Sequence, residues 1–171
     1  MIPKIKSLLY ATDLSENSAY AFRYAINSAQ KHDARIHIVH ALERPLREYL
    51  NLIFPNLDHE QLVKMWEDKK AEQVREVEER LREFARRELE GNAESLDRIA
   101  SIEVVEGEAA PVILQKAEEL DCDLIVMGTH GKGRIGQAFL GSVAEKVLHR
   151  VRKPVFIIPL PEGTKNPSGK K

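Results

Sequence analysis

The sequence predicts an α/β fold, a single-domain, five-stranded parallel sheet with helices on both faces. Two observations lead to this class. Five short apolar segments have the length of strands, and segments with helical periodicity alternate with them, an arrangement typical of parallel sheets. Several of the strand segments are also apolar at nearly every position rather than at every second one, as expected for strands that are buried on both faces.

The composition fits one domain without a strong charge preference for a partner. The chain has 171 residues, 26 basic and 27 acidic, with a formal net charge of −1, so no overall field attracts nucleic acid or a membrane. No apolar run approaches the ~18 residues of a membrane span, and no N-terminal stretch reads as a signal peptide. A single cysteine, Cys122, fits a reducing compartment. We therefore expect a cytoplasmic protein with one domain over 1–160 and a disordered tail at 161–171.

The first predicted unit is a strand, a short loop and a helix. Apolar residues fill most of segment 5–11, and the strand ends at Thr12 and Asp13. Ser15 can cap a helix that continues to about residue 31, because apolar residues recur there at helical spacing.

The second strand is predicted at 35–41 and contains His37 and His40. Neither histidine has a carboxylate or cysteine at metal-ligand spacing, so both are interpreted as strand residues that pack against or face a neighbour. The segment 43–91 then combines an irregular stretch with a long amphipathic helix at 58–90. Because such a helix would be on the order of 50 Å long, we expect it to bend, break or extend beyond the sheet.

The second half of the chain continues the alternation. A third strand at 99–105 leads to a helix with Pro111 near its start, where the missing N–H of proline costs nothing. The fourth strand is predicted at 123–127, a last helix follows a glycine-rich loop, and Val155–Ile158 is the fifth strand.

The loop after the fourth strand has the features of an anion-binding site. Its glycines are Gly128, Gly131, Gly133, Gly136 and Gly141. Glycine lets backbone N–H groups approach a ligand, and the first turn of a helix offers unpaired N–H donors to negative charge. Ser142 adds a hydroxyl, and the loop also carries His130, Lys132 and Arg134. A phosphate is the expected ligand. The alternative is an ordinary connection in which Ser142 is the N-cap.

Two common phosphate motifs do not explain this loop. The letters G-x-G-x-x-G occur at 131–136, but the dinucleotide fingerprint belongs after the first strand, with an acidic residue about 20 positions further on. The Walker pattern fails because Arg134 occupies the position of its lysine and no Ser or Thr follows.

The loop and its flanks resemble a known family. The spacing G-x2-G-x9-G-[ST] is fitted by Gly128, Gly131, Gly141 and Ser142. The flanking Val-Met-Gly-Thr-His-Gly and Leu-Gly-Ser-Val-Ala-Glu-Lys-Val-Leu resemble the universal stress proteins of the ATP-binding type, and so do the opening Leu-Tyr-Ala-Thr-Asp-Leu-Ser and the closing Lys-Pro-Val-Phe-Ile-Ile. The resemblance covers nearly the whole chain.

This resemblance implies a Rossmann-like, nucleotide-binding alpha hydrolase-like fold with strand order 3-2-1-4-5, which the residues alone leave open. In that order the first and fourth strands are neighbours at the point where the strand order reverses. Ligands of such sheets bind in the crevice at the carboxyl ends of these strands.

The resemblance also implies that the crevice binds ATP or another adenine nucleotide. Ala11 and Ala41 match positions that contact the base, although Ala11 replaces a proline of some relatives. Gly128 and Gly131 would approach the ribose and the phosphates. The β and γ phosphates would be held by Gly141, the Ser142 hydroxyl and the Val143 amide. The implied nucleotide-binding set is Ala11, Thr12, Asp13, Ala41, Met127, Gly128, His130, Gly131, Arg134, Gly141, Ser142 and Val143.

Asp13 has two interpretations. At the end of the first strand it can accept hydrogen bonds from ribose hydroxyls, or hold a Mg²⁺ that bridges phosphates. Alternatively it caps the turn that follows. The family resemblance favours the ligand.

The fifth strand predicts a homodimer. Val155–Ile158 is apolar throughout and, in the implied order, lies at a sheet edge, where pairing with a second copy removes an aggregation hazard. Pro154 and Pro159 limit the length of such pairing. The resemblance implies the same dimer.

We therefore expect a homodimeric, adenine-nucleotide-binding module in stress response or regulation. One alternative is a slow ATP hydrolase or phosphoryl-transfer enzyme. Such chemistry needs charge neutralisation and an oriented nucleophile, and Asp13 is the one carboxylate that the pattern places, so at most weak ATPase activity is expected. A third possibility is a dimeric scaffold without nucleotide, against which the glycine pattern argues. No nucleic acid or membrane partner is expected, and the protein partner is left open.

Overall fold

The computed structural model describes residues 2–43, 52–129 and 140–159. The predicted tail at 161–171 lies outside these ranges. In chain order the elements are β1 (Ser7–Ala11), α1 (Glu16–His32), β2 (Arg35–Leu42), α2 (His59–Glu88), α3 (Ala93–Asp97), β3 (Ile99–Glu106), α4 (Ala109–Glu119), β4 (Leu124–Gly128), α5 (Ser142–Leu148) and β5 (Val155–Ile158).

The five strands form one parallel sheet in the order β3-β2-β1-β4-β5. The α/β class and the implied strand order are confirmed. β1 is the central strand, and its Leu8, Leu9 and Tyr10 are 0% exposed. Its start is held by the Asp123 carboxylate, which accepts hydrogen bonds from the backbone N–H groups of Lys6 at 2.7 Å and Ser7 at 3.0 Å.

Helices cover both faces of the sheet, as predicted. Alternate residues of β1 point to opposite faces, so Leu8 and Tyr10 enter a core shared with α1 and α2, while Leu9 and Ala11 enter a second core shared with α4 and α5. The chain therefore continues from β1 to α1 on one face of the sheet, and from β4 to α5 on the other face. Because the two connections diverge, a crevice opens between β1 and β4 at the carboxyl end of the sheet.

The long helix α2 extends beyond the sheet, as expected from its length. It is continuous over 30 residues and starts with a capping box formed by Asp58 and Gln61. Lys70 forms an ion pair with Glu106, the last residue of β3. Eleven residues of α2, 59–69, precede Lys70. At 1.5 Å per residue they run about 16 Å past the end of that strand. No helix in the described ranges is long and apolar enough to cross a membrane.

The short helix α3 was not predicted from the sequence. Gly91 has a φ of 81° and lies just past the end of α2, and Asn92 then caps Ser95 through a hydrogen bond of 3.1 Å. Five residues make little more than one turn, so no helical periodicity can develop in them. Ser95 is 0% exposed, and its hydroxyl accepts a hydrogen bond from the Gln30 side chain at 2.7 Å, which ties α3 to α1.

Tyr10 joins the central strand to the first turn of α1. Its hydroxyl donates a hydrogen bond of 2.5 Å to the Ser18 carbonyl oxygen. Its ring packs on Phe22 with the centroids 5.0 Å apart, and Phe22 in turn packs on Phe84 of α2. Burial raises the pKa of the Tyr10 phenol far above its usual range, so the hydroxyl stays protonated and can donate.

Substituting Tyr10→Phe should lower the free energy of unfolding by about 1 kcal/mol, because a buried hydrogen bond is lost while the ring is kept. Urea denaturation measures the change. Tyr24→Phe is the matched control, since the Tyr24 hydroxyl contacts that of Tyr20 on the exposed surface, and should change stability by less than about 0.5 kcal/mol. Equal losses in both variants would contradict the role given to Tyr10.

Candidate functional site

A cavity of about 740 Å³ lies at the carboxyl end of the sheet, where β1 and β4 are neighbours. Nine of the predicted site residues line it: Ala11, Thr12, Asp13, Ala41, Met127, Gly128, Gly141, Ser142 and Val143. The other three, His130, Gly131 and Arg134, lie outside the described residues. The structure therefore brings the predicted site residues near β1 and β2 and those near β4 and α5 into one crevice.

The turn from β1 to α1 is built around Asp13. Its Oδ1 atom accepts hydrogen bonds from the Ser15 backbone N–H at 3.0 Å and the Ser15 hydroxyl at 2.6 Å. Leu14 has a φ of 61°, and its N–H donates to the Thr12 hydroxyl oxygen at 3.1 Å. Ser15 then caps α1, since its Oγ accepts from the Ser18 N–H at 3.3 Å.

The two interpretations of Asp13 are compatible. One carboxylate oxygen holds the turn, and the other, Oδ2, accepts no hydrogen bond from the described part of the chain. Because Asp13 lines the cavity, Oδ2 is available to a ribose hydroxyl or to a cation. The turn therefore orients the carboxylate without using all of it.

The strand β2 is longer than β1 and forms a wall above the crevice. The last pair between them is Ala11 with Val39, whereas β2 continues beside β3 as far as Leu42. The Thr12 N–H donates to the Val39 carbonyl oxygen at 3.0 Å, and the Gly107 N–H donates to the Leu42 carbonyl oxygen at 3.1 Å. The two carbonyls thus point to opposite edges of β2.

Backbone groups of successive strand residues point alternately to the two edges. Ala41 therefore directs its N–H and C=O to the same edge as Val39, toward the crevice, where β1 has already ended. Within the described part of the chain neither group has a backbone partner. A donor and an acceptor on one small residue can pair with the edge of a planar ring.

His40 fastens this wall to the β1 turn. Its Nδ1 lies 2.8 Å from the Thr12 carbonyl oxygen. Since a carbonyl oxygen only accepts, Nδ1 carries the proton. His37, further down β2, has its Nδ1 2.8 Å from the Ser101 hydroxyl, and burial lowers the pKa of His37. Both histidines face a neighbour, as interpreted from the sequence.

The opposite wall is the end of β4 and the start of α5. The Thr129 N–H donates to the Ile158 carbonyl oxygen at 3.0 Å, and the Gly141 N–H donates to the Thr129 carbonyl oxygen at 2.8 Å. The chain therefore leaves the sheet at Thr129 and returns to the same point at Gly141. This backbone bond brings Gly128 and the start of α5 to one side of the cavity.

Gly141, rather than Ser142, is the N-cap of α5. Its φ of −64° and ψ of 151° are open to any residue, so a glycine is not required by the backbone at this position. What glycine provides here is space beside the cavity. Ser142 is the first helical residue, and its hydroxyl caps no backbone N–H in the described ranges. The alternative of Ser142 as a plain N-cap is therefore wrong.

Apolar residues form the sides of the cavity next to β2, and most of them were not predicted from the sequence. Val39, Ala109 and Ile113 line it together with Met127. Val39 lies two residues before Ala41 on the same strand face, and Ala109 and Ile113 lie one turn apart at the start of α4. The strand alternation and the position of α4 after β3 are the signals that would have indicated them.

The described lining carries two carboxylates, Asp13 and Glu43, and no lysine or arginine. Glu43 follows β2 directly and was also missed. A polyphosphate at this wall would need positive charge from a divalent cation or from residues of the loop between Thr129 and Leu140. Asp13 Oδ2 fits the first source, because carboxylate oxygens are preferred ligands of Mg²⁺.

Comparison with known sequences identifies relatives along almost the whole chain. The sequence model of the Universal stress protein family matches residues 4–159. The Thermus aquaticus protein named "Universal stress protein in QAH/OAS sulfhydrylase 3'region" is 35% identical over 153 residues, which cover 90% of this chain and 98% of that protein.

Solved structures share the fold. A universal stress protein in complex with cAMP has a TM-score of 0.57 and 23% identity, covering 91% of this chain and 98% of that one. A universal stress protein from Archaeoglobus fulgidus in complex with dAMP has a TM-score of 0.52 and 20% identity, covering 92% and 99% of the two chains. At these identities the likeness shows the fold alone.

Two serines of the site should differ in their effect on stability. Ser15→Ala removes an N-cap and a partner of Asp13, so we expect a loss of about 1 kcal/mol in the free energy of unfolding. Ser142→Ala removes a hydroxyl that caps nothing and should cost less than about 0.5 kcal/mol. Chemical denaturation of both variants in the absence of nucleotide tests this. A larger loss for Ser142→Ala would contradict the assignment of the caps.

Proposed function

The chain belongs to the universal stress protein family, and on that premise we propose that it binds an adenine nucleotide, ATP foremost, as a stress-response module. The observation that carries this proposal is the shape of the crevice. An apolar slot with an open backbone donor and acceptor lies on the β2 side, and a glycine-bounded wall lies on the α5 side. The apolar slot suits a flat base, and the glycine-bounded wall leaves space for a phosphate chain.

The adenine would lie against Val39 and Ile113, with its edge toward Ala41. Adenine offers an acceptor at N1 and a donor at its N6 amino group, which complement the N–H and C=O of a single residue. Guanine carries a donor at N1 and an acceptor at O6, so both contacts would be reversed. The backbone of Ala41 therefore favours adenine over guanine without a polar side chain.

The phosphates would lie at the other end of the crevice. Gly128 and Gly141 leave space for them, and the Ser142 hydroxyl with the Val143 N–H would donate hydrogen bonds. Gly131, His130 and Arg134 of the intervening loop would complete the contacts. Asp13 Oδ2 would accept from the ribose or hold a Mg²⁺ that bridges the phosphates.

The relatives support the choice of nucleotide class. The two solved neighbours bind cAMP and dAMP, both of which are adenine nucleotides. A fast enzyme is not proposed, since the described wall holds no lysine or arginine to neutralise a transferring phosphoryl group. Weak ATP hydrolysis is a second candidate, favoured by the free oxygen of Asp13. Turnover would then lie below the ~1 to 100 per second of kinases.

We further propose a cytoplasmic homodimer paired through β5. Four apolar residues on a sheet edge support the dimer, and the single, fully buried Cys122 supports a reducing compartment. The extent of the domain, 1–160, is part of the same proposal.

Nucleotide selectivity tests the base contact. Calorimetry with Mg²⁺ on protein freed of bound nucleotide should give ATP at least about tenfold tighter binding than GTP or ITP, because a reversed bidentate pair costs ~1 to 3 kcal/mol. ITP has the same N1 donor and O6 acceptor as GTP but lacks the 2-amino group of guanine. Comparing ITP with GTP therefore separates the effect of the reversed edge from that of the amino group. Equal affinity for ATP and ITP would remove the Ala41 contact from the proposal, and no binding by any of them would favour the nucleotide-free scaffold.

Gly141→Val should abolish ATP binding and leave the fold intact, because the backbone accepts any residue while the side chain fills the phosphate space. Thermal unfolding with excess ATP and Mg²⁺ provides the measurement. Wild type should gain about 2.7 kcal/mol at a hundredfold excess over Kd, and the variant should gain nothing. Ser142→Ala should give an intermediate gain. An unchanged gain in folded Gly141→Val protein would refute the phosphate assignment.

A further inference from the structure

Glu43 is the second carboxylate of the cavity, and the nucleotide contacts proposed above give it no role. It follows β2 directly, is exposed, and lines the cavity. Within the described part of the chain its side chain accepts no hydrogen bond and joins no ion pair. A negative charge opposes the binding of a polyphosphate nearby. Glu43 must therefore lie away from the phosphates or contact another part of the ligand.

The position of Glu43 in the sheet meets the first condition. Glu43 continues β2, whereas Gly128 ends β4, and β1 lies between the two strands. Neighbouring strands are ~4.8 Å apart, so about 10 Å of sheet separates Glu43 from the glycine-bounded wall. The Debye length at physiological ionic strength is ~8 Å. The exposed carboxylate therefore acts mainly on the part of the ligand that lies beside β2, which is the base.

The alternation along β2 places Glu43 on the same side as Ala41. The Leu42 carbonyl oxygen accepts a hydrogen bond from the Gly107 N–H at 3.1 Å, on the β3 side of the strand. The residues before and after Leu42 therefore direct their backbone groups toward the crevice, and their side chains share one face of the sheet. The presence of both Ala41 and Glu43 in the cavity lining agrees with this alternation.

The direction of the strand determines which part of the base lies next to Glu43. In every residue the N–H precedes the C=O along the chain, and β2 runs toward the carboxyl end of the sheet. When adenine N1 accepts from the Ala41 N–H and the N6 amino group donates to the Ala41 C=O, the 6-amino group is therefore the ring substituent nearer to Glu43. The Ala41 carbonyl uses one N6 hydrogen, and the second points onward along the strand.

A glutamate at this position can reach the amino group. At ~3.4 Å per residue, Ala41 and Glu43 are about 7 Å apart along the strand, and the glutamate side chain can turn back across this distance. No described group holds its carboxylate in another direction. Carboxylates recognise exocyclic amino groups of bases in the same way in protein–DNA complexes.

We propose that the Glu43 carboxylate selects nucleotides with a 6-amino group by accepting a hydrogen bond from the second N6 hydrogen. An ionised carboxylate can only accept, so it matches an amino group and repels the O6 atom of hypoxanthine or guanine. Ala41 recognises the edge at N1 and N6, and Glu43 recognises the outer hydrogen. This inference rests on the adenine-nucleotide binding proposed above and adds a specificity-determining side chain to it.

The substitution Glu43→Gln tests the proposal by calorimetry of the full chain with Mg²⁺ and either ATP or ITP. A glutamine amide offers both a donor and an acceptor, so it can pair with either ring. The ratio of the ATP affinity to the ITP affinity should fall at least about fivefold, since one charge-assisted contact and one repulsion are both removed. Part of this change should be a gain in ITP affinity relative to the control, which a damaged site would not produce.

The matched control is Glu108→Gln, which removes the same charge close to the cavity. Glu108 is exposed, precedes the lining residue Ala109, and makes no side-chain hydrogen bond to the start of α4. Its effect on a triphosphate is electrostatic and does not depend on the base, so the affinities for ATP and ITP should change by the same factor. Circular dichroism of both variants establishes that they are folded.

Purine riboside triphosphate, which carries hydrogen at position 6, separates the amino-group contact from other effects of Glu43. It keeps the N1 acceptor and lacks both the amino group and the O6 atom. Its affinity should therefore be the same in Glu43→Gln as in Glu108→Gln. A clear difference between the two variants with this ligand would show that Glu43 acts elsewhere than at position 6 and would overturn the inference.

The remaining outcomes separate this inference from the proposed function. A wild-type chain that binds no nucleotide overturns both. Preference for ATP over ITP in wild type, with an unchanged ratio in Glu43→Gln or an equal fall in Glu108→Gln, overturns the role of Glu43 and leaves adenine-nucleotide binding standing. A ratio that falls in Glu43→Gln but not in Glu108→Gln supports selection of the 6-amino group by Glu43.

Discussion

The pairing of β1 with β2 on one side and β4 on the other is the constraint on which the site depends. The Asp123 carboxylate sets the start of β1 through two backbone N–H groups, and full burial of the strand leaves it no freedom to slide without moving every side chain to the wrong face. The positions of Asp13 and Gly128 at the ends of β1 and β4 follow from that register. Packing at the amino ends of the strands therefore determines the geometry of the site at their carboxyl ends.

The difference in strand length converts this register into a binding surface. β2 has eight residues and β1 has five, so among the described residues the end of β2 is paired on its β3 side and unpaired on its β1 side. In most sheet interiors an open N–H and C=O pair is unfavourable, and proteins satisfy such groups with ligand, water or side chains. Here the open pair on Ala41 lies beside apolar walls, where a ring with matching groups gains both hydrogen bonds and burial.

Much of the fold could be predicted because its signals are local. Apolar runs gave the five strands, and Ser15 was identified as a cap because its hydroxyl acts within its own turn. The strand order was not available from the residues, since it depends on which segments meet in space, and it came from the resemblance. The same limit explains why Val39 and Ile113 were missed as lining residues while Asp13 was found. In the sequence Val39 and Ile113 look like any other core residues. Only the order of the strands shows that they lie beside the crevice.

The bond from Gly141 to Thr129 also affects how this family member can change over time. Both anchors are backbone groups, the Gly141 N–H and the Thr129 carbonyl oxygen, so this bond does not depend on the side chain of either residue. Lengthening a closed loop costs only about 0.6 kcal/mol for each doubling. A change in the number or kind of residues between these two anchors therefore leaves the backbone bond itself possible. The ligand contacts proposed for this loop can thus diversify, by evolution or by library design, while the sheet remains the same.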